Sequence, residues 1–183
     1  MIVTISGPPG SGKTTVAELL AERTGFELIS AGKRFREMAR ERGLSLSDFG
    51  ALAKEDFSID KQLDGEIVRR VRSSIDDGKS AVVDGRLTGQ MLKREGLGSL
   101  RIWIDCPLDV RAERVAERDG KELIQAREDI LERETLEGER YHSIYNMKLR
   151  DPHVYHLVLD SHCETPEDIV AIILDKVEDI GDL

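Results

Sequence analysis

The chain has 183 residues, 39% of them hydrophobic and 34% charged, with a formal net charge of −9. These proportions suit one globular domain with a proper core and exclude a disordered or fibrous chain. The acidic balance argues against a protein that grips nucleic acid by broad neutralisation of its backbone, although arginines can still gather in a local anion pocket. Ile2–Ile5 is a short apolar run closed by Gly7 and predicts a buried strand. From Lys13 to Arg23, Val16, Leu19 and Leu20 recur at helical spacing until Gly25. Phe26–Ile29 predicts a second strand. A helix follows with Phe35, Met38 and Ala39 on one face and Gly43 at its end, then a polar stretch of short elements. Leu63, Ile67, Val71 and Ile75 at four-residue steps mark a longer helix. Ala81–Val83, ending at Asp84, predicts a third strand, Arg101–Asp105 a fourth and Leu157–Leu159 a fifth. Thr165 as N-cap and Pro166 in the first turn open a last helix, with Ile169, Ile172, Ile173 and Val177 on its apolar face.

Strands alternating with helices imply an α/β fold of three layers, a parallel sheet with helices on both sides. No repeat, linker or low-complexity segment divides the chain, so residues 1–183 read as one domain. Pro107–Asp151 stands apart: it offers no strand and both charge signs are dense, as in solvated helices or a mobile flap. Cys106 and Cys163 have no metal-type spacing and read as reduced packing residues. No apolar run approaches the ~20 residues of a membrane span. The first strand runs directly into a glycine loop, with no secretory signal before it, so a cytoplasmic enzyme without a membrane partner is expected.

Gly7-Pro8-Pro9-Gly10-Ser11-Gly12-Lys13-Thr14, followed by Thr15, fits G-x-x-x-x-G-K-[ST] between a strand and an amphipathic helix. Glycines let backbone N–H groups approach phosphate oxygens, and the helix N-terminus adds partial positive charge. Lys13 is expected to reach the β- and γ-phosphates of ATP and the Thr14 hydroxyl to ligate Mg²⁺. The dinucleotide fingerprint is not met, because Pro8 and Pro9 precede the second glycine. A guanine switch is excluded on different grounds: D-x-x-G is absent, and Asn146 is the only asparagine, so N-K-x-D cannot occur.

A kinase also needs a second anion site facing the γ-phosphate, with water shut out. Three stretches offer one, each at or beyond a strand's C-terminal end, where open α/β sheets bind ligands. Ser30-Ala31-Gly32-Lys33-Arg34-Phe35-Arg36 follows strand two. Asp84-Gly85-Arg86 follows strand three, with Asp84 suited to hold Mg²⁺ through water and Arg86 to fork onto a phosphate. Arg111, Arg114 and Arg118 share one side of a helix, as do Arg133, Glu137 and Arg140. Each stretch alone also fits a plain alternative: a solvated helix, an ordinary turn, or salt bridges to Glu113, Glu117, Glu132 and Glu134. Together they favour a phosphate clamp with a lid.

At these residues the chain resembles the cytidylate kinases, in their short archaeal form, within the P-loop nucleoside monophosphate kinases. The likeness runs through GPPGSGKTT, SAGKRFRE, DGRLTG, CPLDVRAERVAERDG, the R-E-T-L-E-G-E-R-Y run and YHLVLDS. The resemblance implies a five-stranded parallel sheet, an acceptor-binding segment at about residues 33–75 and a lid at about 111–150. It implies that Arg36 and Arg86 grip the CMP phosphate and that Lys13 stabilises the transferring group. Arg118, Arg133 and Arg140 would supply lid and transition-state charge, with Arg114 near the adenine and Glu137 near the acceptor sugar. Bacterial members usually follow DGR with Asp, where this chain has Leu87, and they carry a longer acceptor insertion. Asp60, Lys61 and Asp64 are candidate readers of the base, or simply helix-start polarity. The expected reaction is phosphoryl transfer from ATP·Mg²⁺ to CMP or dCMP by a monomer. A kinase for another acceptor (AMP, UMP or a small hydroxyl metabolite) and a non-catalytic ATP-binding protein are the rival readings.

Overall fold

The computed structural model describes residues 1–181, with only the backbone for Leu46, Ser47, Ile180 and Gly181; residues 182 and 183 of the expected domain lie outside the described residues. Five parallel strands form one sheet: β1 Ile2–Ser6, β2 Glu27–Ser30, β3 Ala81–Asp84, β4 Leu100–Asp105 and β5 Leu157–Asp160, in the order β2-β3-β1-β4-β5. Among the described residues eight α-helices accompany them: α1 Lys13–Thr24, α2 Ala31–Glu41, α3 Leu46–Glu55, α4 Ser58–Asp76, α5 Thr88–Arg94, α6 Leu108–Asp119, α7 Leu123–Tyr145 and α8 Pro166–Gly181.

The strands are mostly apolar because both faces of the sheet are covered, with their polar residues gathered mainly at the strand ends. Side chains alternate between the faces. Val3, Ile5, Val82, Ile102 and Ile104 pack with Val16 and Leu20 of α1 and Ile169 and Ile173 of α8. Ile2, Ile29, Ala81 and Val83 pack on the other side with Met38 of α2, Ile67 and Val71 of α4 and Leu92 of α5. The register sets Asp84 beside Ile5 of β1 on one side and Ser30 of β2 on the other. The C-terminal ends of β1, β2 and β3 therefore open at one level, where the chain order reverses across the sheet.

Two helices were not expected. The stretch after Gly43 forms α3, capped by the Ser45 hydroxyl, which accepts from Asp48 N at 3.1 Å. Among the described side chains of that helix, only Phe49 and Ala53 are deeply buried, too few for a periodic signal. Helix α5 begins at Thr88, just past Asp84-Gly85-Arg86, where the sequence marks no helix. Gly89 is required there because a Cβ would stand 2.8 Å from the Tyr155 ring. The charged stretch from Pro107 forms the hairpin of α6 and α7, held by its own small cluster of Ala112, Val115, Ala126 and Ile130. Of the cysteines, Cys106 is buried as expected and Cys163 is exposed; both are free. No helix of the described residues is long and apolar enough to cross a membrane.

Candidate active site

The glycine loop leaves β1 and enters α1 through Gly12, whose left-handed φ of 79° makes an N-cap with no side-chain hydrogen bond. The first N–H groups of α1 thus stay open to a ligand, at the positive end of the helix dipole. Gly10 has a φ of 78°, and a Cβ on it would lie 2.9 Å from the Arg111 carbonyl oxygen. A Cβ on Gly7 would lie 2.4 Å from the Ile104 carbonyl oxygen. Gly7→Ala and Gly10→Ala are each expected to cost roughly 2 kcal/mol. That corresponds to a melting temperature lower by about 4–8 °C for a chain of this size, with less thermal stabilisation by added ATP; an unshifted transition in both variants would contradict this.

Asp84, almost wholly buried at the tip of β3, accepts from Thr14 Oγ1 at 3.1 Å and from Ser30 Oγ at 2.9 Å through Oδ2. Its Oδ1 is buried without a hydrogen-bond partner among the described residues. Ser30 also caps α2, accepting from Lys33 N at 3.3 Å. The next turn is pinned by Gly85 N, which donates to Ile5 O at 3.2 Å. It delivers Arg86 back to the loop, with Nη1 donating to Gly7 O at 3.3 Å.

Arg86 is ion-paired with Glu137 of α7, and Arg133 Nε donates to the other oxygen of Glu137 at 2.8 Å. Burial alone pushes the Glu137 carboxyl up, but the Arg86 and Arg133 guanidiniums outweigh it and hold it below the usual range. Lys13 lies in the field of the same group. Burial first, then Arg86 and Arg133, lower its ammonium from 10.5 to about 8. Its Nζ rests on Pro8 O at 3.4 Å. Two guanidiniums thus pair with one carboxylate at the mouth of the glycine loop, with the Lys13 ammonium in their field. A cavity of about 220 Å³ opens beside them, lined among others by Gly7, Pro8, Arg86, Arg111, Glu134 and Arg150.

Helix α7 also meets α4 twice. Arg140 Nε lies 2.8 Å from Asp60 Oδ2, and the Tyr145 hydroxyl donates to Asp64 Oδ2 at 2.8 Å. Both carboxylates are buried in α4. Burial pushes Asp60 up to about 6, with Arg140 opposing; burial pushes Asp64 up to about 7, with the Tyr145 hydrogen bond opposing and Asp60 adding.

The remaining candidates stand outside this cluster. Arg114 sits beside Gly12, with Nη1 and Nη2 donating to Ser161 Oγ and O at 3.0 and 2.7 Å, while the Ser161 hydroxyl donates to Ser11 O at 2.8 Å. Arg36 is exposed one turn into α2, its Nη1 3.7 Å from where a Cβ on Gly32 would stand. Arg118 is exposed and forks onto neighbouring Asp119 at 2.7 and 2.9 Å; the structure does not bring it to the loop. Thr15 is exposed on α1.

Arg111 does something its sequence neighbours do not. Buried, it donates to Cys106 O at 3.0 Å and Pro9 O at 3.2 Å and pairs with Glu134 at 2.8 Å, stapling the loop to the hairpin. Tyr141 and Tyr145 were not singled out in the sequence. Their signal was a stripe at four-residue steps, Arg133-Glu137-Tyr141-Tyr145, whose polar half alone looked functional.

Residues 2–162 match the cytidylate kinase-like family. A cytidylate kinase of Methanococcoides burtonii is 43% identical over 161 residues, spanning 88% of this chain and 87% of that protein. One of Halobacterium salinarum is 41% identical over 178 residues, spanning 97% and 90%. In fold, the chain superposes on a shikimate kinase of Acinetobacter baumannii with a TM-score of 0.61 at 18% identity, covering 97% of this chain and 93% of that one. The stretches that build the cluster, from the glycine loop to Ser161, all fall inside the matched residues, and the chain belongs to the cytidylate kinase-like family.

Proposed function

We propose that the protein is a cytidylate kinase, transferring the γ-phosphoryl group of ATP to CMP or dCMP to give ADP and CDP or dCDP. The observation that carries this reading is Arg86, brought by β3 to the mouth of the glycine loop, where Lys13, Arg133 and one buried carboxylate surround it. A hydrolase needs no second anion clamp facing the γ-phosphate; a monophosphate kinase does.

Gly7 to Thr15 would hold the phosphates of ATP, with Lys13 against the transferring group and Arg114 beside the adenine. Arg86 and Arg36, with Ser30, Gly32 and Gly85 shaping the approach, would grip the acceptor phosphate. Its oxygen, already anionic, attacks the γ-phosphorus in line, so no general base is required. Glu137 would face the acceptor sugar, and Asp60 and Asp64 its base. Arg133 and Arg140 are held by Glu137 and Asp60; as the α6–α7 hairpin closes they would exchange these carboxylates for phosphoryl oxygens, with Arg118 leaving Asp119. Closure excludes water and places charge where it develops. Thr14 and Asp84 fit Mg²⁺: hard oxygens, one of them buried and unpaired, in the small set this ion takes alongside substrate phosphates. The ion would neutralise charge on the phosphates. The reading carries with it a cytoplasmic monomer acting on small molecules.

The test is ADP formation from ATP·Mg²⁺ with CMP, dCMP, UMP, AMP and GMP in parallel, against a control without acceptor. Turnover confined to CMP and dCMP is expected. Preference for another monophosphate would keep the mechanism and change the substrate, and no rise above the control would sink the reading.

A further inference from the structure

Arg86 lines a second space, far narrower than the cavity at the loop. Asp64, Leu87, Met91, Tyr141 and Tyr145 line it too, around about 20 Å³. That is room for about one water, so a nucleotide base enters only if the end of α7 moves aside. A monophosphate held by Arg86 must lay its sugar and base somewhere near, and this slot begins at the same guanidinium. Its walls at Leu87, Met91 and Met147 are apolar, suited to the faces of a flat ring. Asp64 is the one carboxylate among the residues lining it. Asp60 is not among them, and its carboxylate is committed to Arg140. The Tyr145 hydroxyl occupies Asp64 Oδ2, while Oδ1 takes no protein hydrogen bond among the described residues.

We propose that the Asp64 carboxylate reads the exocyclic amine of the acceptor's base and so selects an aminopyrimidine monophosphate over an oxopyrimidine one, with the Tyr145 hydroxyl holding that carboxylate until the base displaces it. A carboxylate only accepts hydrogen bonds. It therefore pairs with the amine at position 4 of cytosine, whereas the oxygen at position 4 of uracil sets lone pairs against lone pairs in a dry slot. A protonated acid, or an amide, carries both a donor and an acceptor and accommodates either base. Adenine carries an amine as well, but with a second ring that the walls at Leu87, Met91 and Met147 must turn away.

Selectivity is then tied to the charge on Asp64. Facing it are Asp60 on α4, Arg140, Tyr141 and Tyr145 on α7, and Arg86 beyond β3. Burial pushes both tyrosines above their usual range, so they stay neutral and hydrogen-bonding. Asp64 itself is raised to about 7 by burial and Asp60. It is neutral well below that value and ionised above it, so preference for CMP over UMP rises with pH.

This inference rests on CMP being the acceptor, and the experiment separates the two. We would measure kcat and KM for CMP, UMP and AMP at about pH 6 and about pH 8.5, in wild type, Asp64→Asn and Asp60→Asn. The wild-type CMP/UMP ratio of kcat/KM is expected to rise roughly tenfold across that range, and AMP to remain a poor acceptor. Asp64→Asn should reduce the ratio at the higher pH by roughly 10–100-fold, through gained UMP turnover and a raised KM for CMP, and should flatten its pH dependence. Asp60→Asn should lower kcat and move the rise of the ratio to lower pH, because Asp60 no longer raises Asp64, while the rise itself remains. A wild type that prefers a monophosphate other than CMP overturns the parent reading. A wild type selective for CMP, with Asp64→Asn selective to the same degree, overturns the role of Asp64 alone. If Asp64→Asn does not fold, a wild-type ratio that stays flat with pH overturns it.

Discussion

Lys13→Met is expected to lower kcat by roughly three orders of magnitude and, in the same molecule, to raise the melting temperature. In the proposed reaction the loss follows from removing a positive charge that would meet the transferring phosphoryl group inside a water-poor site. The gain follows from what that charge costs before any nucleotide arrives. Burial, Arg86 and Arg133 lower the Lys13 ammonium from 10.5 to about 8. Between those values the unfolded chain binds more protons than the folded one, so stability rises with pH through that window. Below about pH 8 the penalty is fully present. The whole shift corresponds to about 3.4 kcal/mol, and solvent screening of a half-buried ammonium leaves about 1–2 kcal/mol. Methionine removes it, which should raise the melting temperature by about 3–6 °C at neutral pH. The difference should shrink as pH climbs from about 8 and vanish well above 10.5, where wild-type Lys13 is neutral in both states. Thermal melts of the two proteins across this range decide the matter; a Lys13→Met protein no more stable than wild type at pH 7 would show that the loop carries its lysine without strain.

Arg86→Met should cost activity and stability together. Removing the guanidinium that faces both the loop and the slot beside Asp64 is expected to reduce kcat/KM for the proposed acceptor by roughly 10³, with a raised acceptor KM. It also leaves Glu137 buried with Arg133 as its remaining partner. Breaking one side of a buried pair strands a charge, at about 2–4 kcal/mol here. The sign with pH is fixed by Glu137. Its carboxyl is held below the usual range, so the pairing stabilises the fold above the ordinary carboxylate pKa and is lost as pH falls through the lowered one. The cost of Arg86→Met should therefore be largest near neutrality and shrink in acid. Arg86→Met combined with Glu137→Leu should recover most of the stability and none of the activity, because no buried charge is then left unpaired; Arg133, which also loses Glu137, is exposed to water. Recovery of turnover in the double variant would mean that Arg86 serves only to hold Glu137.

Much of the scaffold was legible in the chain because its signals are local. Ile2–Ser6, Gly7–Thr14 and the Val16–Leu20 face stand next to one another in sequence and in space, and strand–loop–helix is a geometry that neighbouring residues dictate. The same holds for Asp84-Gly85-Arg86, where strand, turn and arginine are consecutive. Helix α3 escaped because, among its described side chains, only Phe49 and Ala53 reach deep into the core, and α5 because Gly89 sits in a helix for a contact with Tyr155 that lies 66 residues away in the numbering. The arginines of α6 share a face by spacing yet have three different fates: Arg111 inside against Pro9, Arg114 on Ser161 and Arg118 out on Asp119. Helical periodicity sorts residues by direction, and it does not say what waits in that direction.

By itself, the sequence determined the α/β architecture, the phosphate loop and the family, since each rests on residues close together in the chain. The tertiary structure decided which charges meet. Glu137 stands between Arg86 and Arg133, Asp84 between Thr14 and Ser30, and Asp64 under Tyr145, across separations of 51, 70 and 81 positions for Arg86–Glu137, Thr14–Asp84 and Asp64–Tyr145. Those meetings are set by parallel strand register and by the packing of α7 over α4. Burial then does what no local pattern can: it lowers one lysine, lifts two aspartates and makes the partner of each charge matter.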